Sequence, residues 1–308
     1  MFEKRTVCLV TASLLAAAIA FSQPPERGQQ PEFARQAQQL VRQGKLEDAL
    51  AVYRHELETS PDSTAANSGA GVVLDLMGGR GDEARKYFQR AIDSASTPQA
   101  KANAQRAMAM SFAFDGDCKN GANYEQKVFE YYTSISNSYQ EGEIADEAGR
   151  VCIDAGDLNT AAKWYKIGHE AGLKEPDIKP DRVDLWNFRY EHALARLAAR
   201  RGNKAEAAKH VAAAKAILDR DAEMAQQQSV FFPYLTGYVA FYAGDYKAAL
   251  EDLQKANQND PFIQCLIAQS YEKLGDKDKA AEYYRKAAST TAHNPPAAYA
   301  HWFTRKKI

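Results

Sequence analysis

The sequence predicts an all-α fold, a right-handed α-solenoid of about seven helix pairs with a C-terminal capping segment. The first observation behind this is a recurrence, in which a Gly is followed five residues later by Ala and nine residues later by a bulky apolar residue. It occurs as Gly44/Ala49/Tyr53, Gly79/Ala84/Phe88, Gly156/Ala161/Tyr165, Gly202/Ala207/Val211, Gly244/Ala249/Leu253 and Gly275/Ala280/Tyr284, with a degenerate seventh copy at Gly116. The second is a small residue seven positions before the Gly, at Ala37, Ala109, Gly149, Ala195, Gly237 and Ala268, with Gly71 slightly out of register. The third is apolar spacing of one helical face after the Gly, as in Ala249, Leu253 and Ala256. A fixed period of this size means stacked units that each touch only their neighbours, and it moves the functional question from catalysis toward surfaces.

The chain opens differently. Lys4 and Arg5 precede an apolar run from Val7 to Ala20, which ends in the small-residue exit Ala18-Ile19-Ala20. This is the pattern of a secretory signal peptide, residues 1–22, with cleavage after Ala20 or Ser22. The run is shorter than the ~20 residues that span a bilayer. The expectation is an exported chain, periplasmic or extracellular, with no stable membrane insertion after cleavage. Residues 23–31 are rich in Gln and Pro and read as a disordered leader. With 39 basic against 40 acidic residues, nothing points to nucleic acid or a membrane surface as partner.

Helix pairs then fill residues 32–290. In the sixth unit Phe232 to Tyr242 forms the first helix, Gly244-Asp245 breaks it, and Tyr246 to Asn257 forms the second, which Pro261 stops. The Gly-to-Gly spacing stretches to 37, 40, 46 and 42 residues in the middle of the chain, against the ~34 of the closest repeat pattern. The longest gap holds Pro176 and Pro180, so a break in curvature is expected near 173–181, with Asp181 as cap of the next helix. Residues 291–308 carry Pro295-Pro296, then Tyr299, Trp302 and Phe303, and end in Arg305-Lys306-Lys307. They read as a cap on the last helix pair, or alternatively as a hook for a partner.

The stretches 33–62, 235–261 and 267–287 resemble tetratricopeptide repeats, matching at the small residue, the Gly, the Ala, the aromatic and often the closing Pro. The resemblance is strong at 33–96 and 230–290 and weaker between. It implies a scaffold whose first helices line a concave groove. It does not extend to the subtype that clamps a chaperone C-terminus with Lys and Asn, because the corresponding positions hold Ala34 and Gln38.

Catalytic motifs are missing. His169-Glu170 is followed by Leu173 where a zinc motif needs its second His, and the glycines at 69–71 and 78–81 fit no phosphate loop. There is no G-x-S-x-G elbow. Neither enzyme activity nor a metal or cofactor is expected. Beyond the leader the cysteines are Cys118, Cys152 and Cys265, an odd number. Cys118 and Cys152 fall at neighbouring places in such a stack, so they form either a disulfide or a pair of buried thiols.

Counting from the small residues places Arg189, His192, Arg196 and Arg200 in the groove as a basic stripe. Tyr234, Tyr238, Phe241 and Tyr242, with Phe231 and Leu235, form an aromatic stripe beside it. Glu143, Asp146, Glu147, Arg150 and Asp154 supply a mostly acidic third. Arg forks and aromatic rings suit a peptide groove. The same stripes are equally a buried core with internal ion pairs. The function expected is an exported, non-catalytic scaffold that binds a peptide or partner subunit. The alternative is an accessory protein that binds a small ligand or polysaccharide with its aromatic stripe.

Overall fold

The computed structural model describes residues 30–307, so the expected signal peptide and nearly all of the leader lie outside the described residues. Sixteen helices run in order: α1 Glu32–Arg42, α2 Leu46–Thr59, α3 Thr64–Met77, α4 Gly81–Asp93, α5 Pro98–Ala113, α6 Cys118–Ser134, α7 Ser138–Ala155, α8 Leu158–Gly172, α9 Pro180–Arg200, α10 Lys204–Leu218, α11 Ala222–Gln227, α12 Phe231–Ala243, α13 Tyr246–Leu253, α14 Pro261–Leu274, α15 Lys277–Ala288 and α16 Pro295–Thr304. Seven pairs stack in sequence order, with α11 inserted between the fifth-unit and sixth-unit pairs and α16 added at the end.

A two-residue signal sets most of the turns within pairs. The Gly takes a left-handed φ that other residues avoid, for example +93° at Gly156 and +88° at Gly275. The residue after it caps the second helix. Asp117, Asp157, Asn203, Asp245 and Asp276 each accept the backbone N–H three residues on, satisfying a donor the helix start leaves open. The second unit has two such glycines, Gly78 and Gly79, both at positive φ. Gly78 ends α3 and lies seven residues after Gly71, while Gly79 sets the register of α4. One inserted residue therefore explains why Gly71 looked displaced.

Small residues of the first helices receive bulky residues of the second. A Cβ on Gly71 would stand 2.7 Å from the Phe88 ring, one on Gly149 would stand 2.8 Å from the Tyr165 ring, and one on Gly237 would stand 2.7 Å from Leu253. The repeat alanines Ala49, Ala84, Ala161, Ala207 and Ala249 are fully buried.

Two local expectations need correction. Pro261 does not stop a helix; α13 ends earlier, at Leu253, and Pro261 opens α14 behind the cap Asp260. Proline suits that first turn because its missing N–H is not needed there. Asp181 is not a cap either, since α9 already starts at Pro180 and Asp181 lies in its first turn. Around 173–179 packing continues across the linker. Trp186 of α9 fills the space over Gly142 of α7 and Gly172 of α8, and its indole N–H donates to Glu175 at 2.6 Å.

A cap on the last helix pair alone is too narrow a description of the C-terminal segment. α16 does cover α14 and α15, and it crosses the concave side to pack on α5 and α7 as well. The end of the solenoid is thereby tied back to its middle.

Candidate partner-binding groove

The first helices α7, α9, α12 and α14 bring the basic, aromatic and acidic stripes together. Their side chains meet across the superhelix axis. Arg150 of α7 lies 4.3 Å over the Phe262 ring of α14, and its Nε donates to Asp154 at 2.8 Å. Arg196 of α9 donates to the Tyr165 hydroxyl at 3.1 Å and sits 5.3 Å from the centre of that ring. Arg200 stacks 5.0 Å over Tyr242. Arg189 pairs with Glu143 and lies 4.9 Å over Trp186. His192 donates through Nε2 to the Phe231 carbonyl at 3.3 Å, and burial with Arg196 nearby holds its pKa well below the usual value.

The open-groove reading of these residues is therefore corrected. His192, Arg196, Tyr234, Tyr238 and Phe241 are buried, and Tyr238 is 0% exposed. Arg189, Arg200 and Tyr242 are half-buried. The reason is curvature, because Arg150 of α7 reaches Tyr234 of α12 and Phe262 of α14 across the intervening units, while the neighbouring α14 covers the same rings. Phe262 stacks on Tyr238 at 6.2 Å and stands edge-on to Tyr234 at 6.1 Å. This interior is polar and incompletely paired. Arg150 Nη2, Arg196 Nε and Nη1, Asp154 Oδ1 and the Tyr234 hydroxyl have no hydrogen-bond partner. An unsatisfied buried group costs about 1–3 kcal/mol, so ordered water is the natural filler.

Asp260 was not foreseen as part of this cluster. It caps α14 by accepting from Phe262 and Ile263, and its carboxylate also faces Arg150. The Asp-Pro pair before an apolar run was the available signal.

The C-terminal segment reaches the groove through two latches. His293 Nε2 meets Asp75 Oδ2 of α3 at 2.9 Å, with its ring between Phe88 and Phe114. Arg305 Nη2 donates to the Phe114 carbonyl at 2.5 Å, at the C-terminal end of α5. Between them Ala297 and Ala298 pack with Met110, Ala113 and Val151, and Tyr299 rests on Phe262 at 4.6 Å. Trp302 lies on the backbone of Gly116, where a Cβ would stand 2.7 Å from the indole.

Ser111 also donates to Asp75, at 2.9 Å. Ser, Asp and His are thus in one chain, but the Asp stands between the other two. His293 bonds Asp75 and not the Ser111 hydroxyl, so the Ser–His contact of a nucleophile triad is missing and the arrangement reads as a buried clamp.

A second polar interior joins α5, α6 and α7. Arg106 pairs with Glu147, and Glu125, fully buried beside them, has its pKa raised by burial and by Glu147. Cys118 and Cys152 form a disulfide between α6 and α7 with Cα atoms 4.8 Å apart, and Cys265 is a buried thiol. Among the described residues no group of three or more His, Cys, Asp or Glu could hold a metal ion, and no helix is long and apolar enough to cross a membrane.

What stays accessible is the other edge of the concave face. At the register positions six and three before the small residue stand Ala65, Ser68, Asn103, Arg106, Glu143, Asp146 and Arg189, all exposed or half-buried. This shelf is polar. Burial pushes Asp146 up to about 7, against the pull of Arg189.

The tetratricopeptide-repeat family matches residues 35–101 and again 263–294. No curated protein matches the sequence. Among solved structures, a tetratricopeptide repeat protein from Parabacteroides merdae aligns with a TM-score of 0.51 at 16% identity, over 89% of this chain and 98% of its own. The apo form of RapI aligns with a TM-score of 0.52 at 14% identity, over 83% and 94%. At these identities the fold is what is shared. Both family matches fall on units whose Gly, Ala and aromatic residues pack as described above, so residues 35–101 and 263–294 are tetratricopeptide repeats, and the helix pairs between them share that fold.

Proposed function

We propose that this chain is an exported, non-catalytic scaffold that holds a protein partner on its concave face. The observation that carries the reading is α16, a polypeptide helix already lying on the concave sides of α5 and α7. It favours a polypeptide over a small ligand or sugar, as does the full burial of Tyr238, whose ring has no free face for stacking. Export is supported by residues 1–22 and by the Cys118–Cys152 bridge, which suits an oxidising compartment. Non-catalytic character is supported by the repeat fold and by the Ser111–Asp75–His293 order, which lacks the Ser–His contact of a nucleophile triad.

The test is a photo-crosslinking amino acid placed in the full chain at Asn103, on the shelf, and separately at Lys86 on α4, with cell fractions probed for the chain and its adducts. A discrete adduct from position 103 alone, in an exported fraction, is the expected result. Adducts from 86 and none from 103 would reject the concave face, and a cytoplasmic chain would reject export.

A further inference from the structure

We propose that the concave surface under α16 is a docking site for a short helix of a partner protein, which enters as α16 leaves. This rests on the scaffold reading and specifies the form of the partner. The surface is assembled from Leu76 of α3, Met110 and Ala113 of α5, Phe114 just beyond α5, and Val151 and Asp154 of α7. A cap for α14 and α15 has no need of it.

The way α16 sits there defines the chemistry that fits. Two adjacent small residues, Ala297 and Ala298, are 0% and 1% exposed, so the approach is too close for larger side chains at those places. An aromatic residue at Tyr299 reaches Phe262. The site is also electronegative. Arg305 meets the carbonyl of Phe114 and stands 3.6 Å from Asp115, at the negative end of the α5 dipole. Asp75 lies at the other latch. The partner is therefore a helix with a small-residue stripe, one aromatic residue and a basic C-terminal end.

Two features make α16 replaceable. It is a separate helix of ten residues joined to α15 by the non-helical stretch 289–294, so it can lift off as a unit without unwinding α15. It is also an imperfect occupant, because a small void bounded by Ala298, Tyr299, Trp302 and Asp154 remains beneath it, and Asp154 Oδ1 has no hydrogen-bond partner. While attached, α16 competes at the roughly millimolar effective concentration of a short tether.

A fluorescein-labelled peptide of residues 291–307 tests this by anisotropy against three proteins: the full chain, the full chain with Arg305→Glu, and a chain ending at Thr290. Arg305→Glu sets like charge against Asp115 and loosens the latch without removing the helix. The peptide is expected to bind the truncated chain and Arg305→Glu at least 10-fold more tightly than the wild type. A control peptide with Ala297→Leu and Ala298→Leu is expected to lose that binding. If the truncated chain does not fold by circular dichroism, the Arg305→Glu protein decides. Equal binding to all three proteins, or binding to none while they remain folded, overturns the proposal. Dimers of the wild type that exchange α16, seen by light scattering, would overturn it in favour of a second copy as occupant. Failure to find a cellular partner by crosslinking would leave these binding curves untouched, so the two readings fail separately.

Discussion

At the C-terminal end of the solenoid α16 covers the last helix pair, leaving Phe262 1% exposed and Tyr284 4% exposed. At the N-terminal end, α1 and α2 present Arg35, Gln36, Gln39, Glu47 and Asp48 outward. Phe33 and Val52 there line an open cavity of about 320 Å³ between the two helices. A stack of repeats must end in a surface that water tolerates. Among the described residues, the first pair does so with polar side chains of the repeat itself. The C-terminal end does so with an added helix, and only an added helix is free to do something else. That is why the groove contact appears at the C-terminal end.

Truncation after Thr290 should have the largest effect on this contrast. It uncovers Phe262, Tyr284 and the α5–α7 seam together, and losing buried aromatic packing of this kind costs about 3–5 kcal/mol. Amide exchange should speed up in α14 and α15 and stay unchanged in α1 and α2. Uniform acceleration would mean that α16 stabilises the whole stack and not its end.

Reduction of the Cys118–Cys152 bridge comes next. The bridge closes a loop with a sequence separation of 34, which constrains the unfolded chain by about 3–4 kcal/mol. Thiol titration of the denatured, unreduced chain from residue 23 onward should find one thiol, Cys265, and three after reduction. Three thiols before reduction would remove the bridge from the account.

A smaller effect is pH-dependent. Asp146 has a folded pKa of about 7, above its unfolded value near 3.8. Between those values the folded chain keeps a proton that the unfolded chain has lost, so this group's contribution falls as pH rises, by up to ~1.4 kcal/mol per unit. His192 acts oppositely, since a pKa depressed by burial makes acid destabilising below about 6.5. Denaturant midpoints of Asp146→Asn across pH 4–7 should therefore climb with pH more steeply than those of the wild type. Parallel curves would place the titration elsewhere. Smallest of all, Phe33→Ala should cost no more than about 1 kcal/mol, because the ring is half-buried at the polar end. A larger loss in a denaturant melt would show that the N-terminal face is a working core.

The sequence by itself determined the repeat. Gly permits the left-handed turn, Asp or Asn caps the helix after it, and a small residue admits the aromatic of its partner helix. These are contacts within about 34 residues, so a local pattern carries them. It also nominated Cys118 and Cys152 as neighbours, while leaving their chemistry open. Only the tertiary structure decided that Arg196, Tyr234 and Tyr238 are interior. Their fate depends on Arg150 and Phe262, which reach them from other units once the superhelix has curved. The same holds for α16. Its latches join His293 to Asp75 and Arg305 to Phe114, across 218 and 191 residues, and no repeat period encodes a contact at that distance. Periodicity fixes what each unit touches next to it, and the accumulated curvature of the stack fixes what meets across the groove.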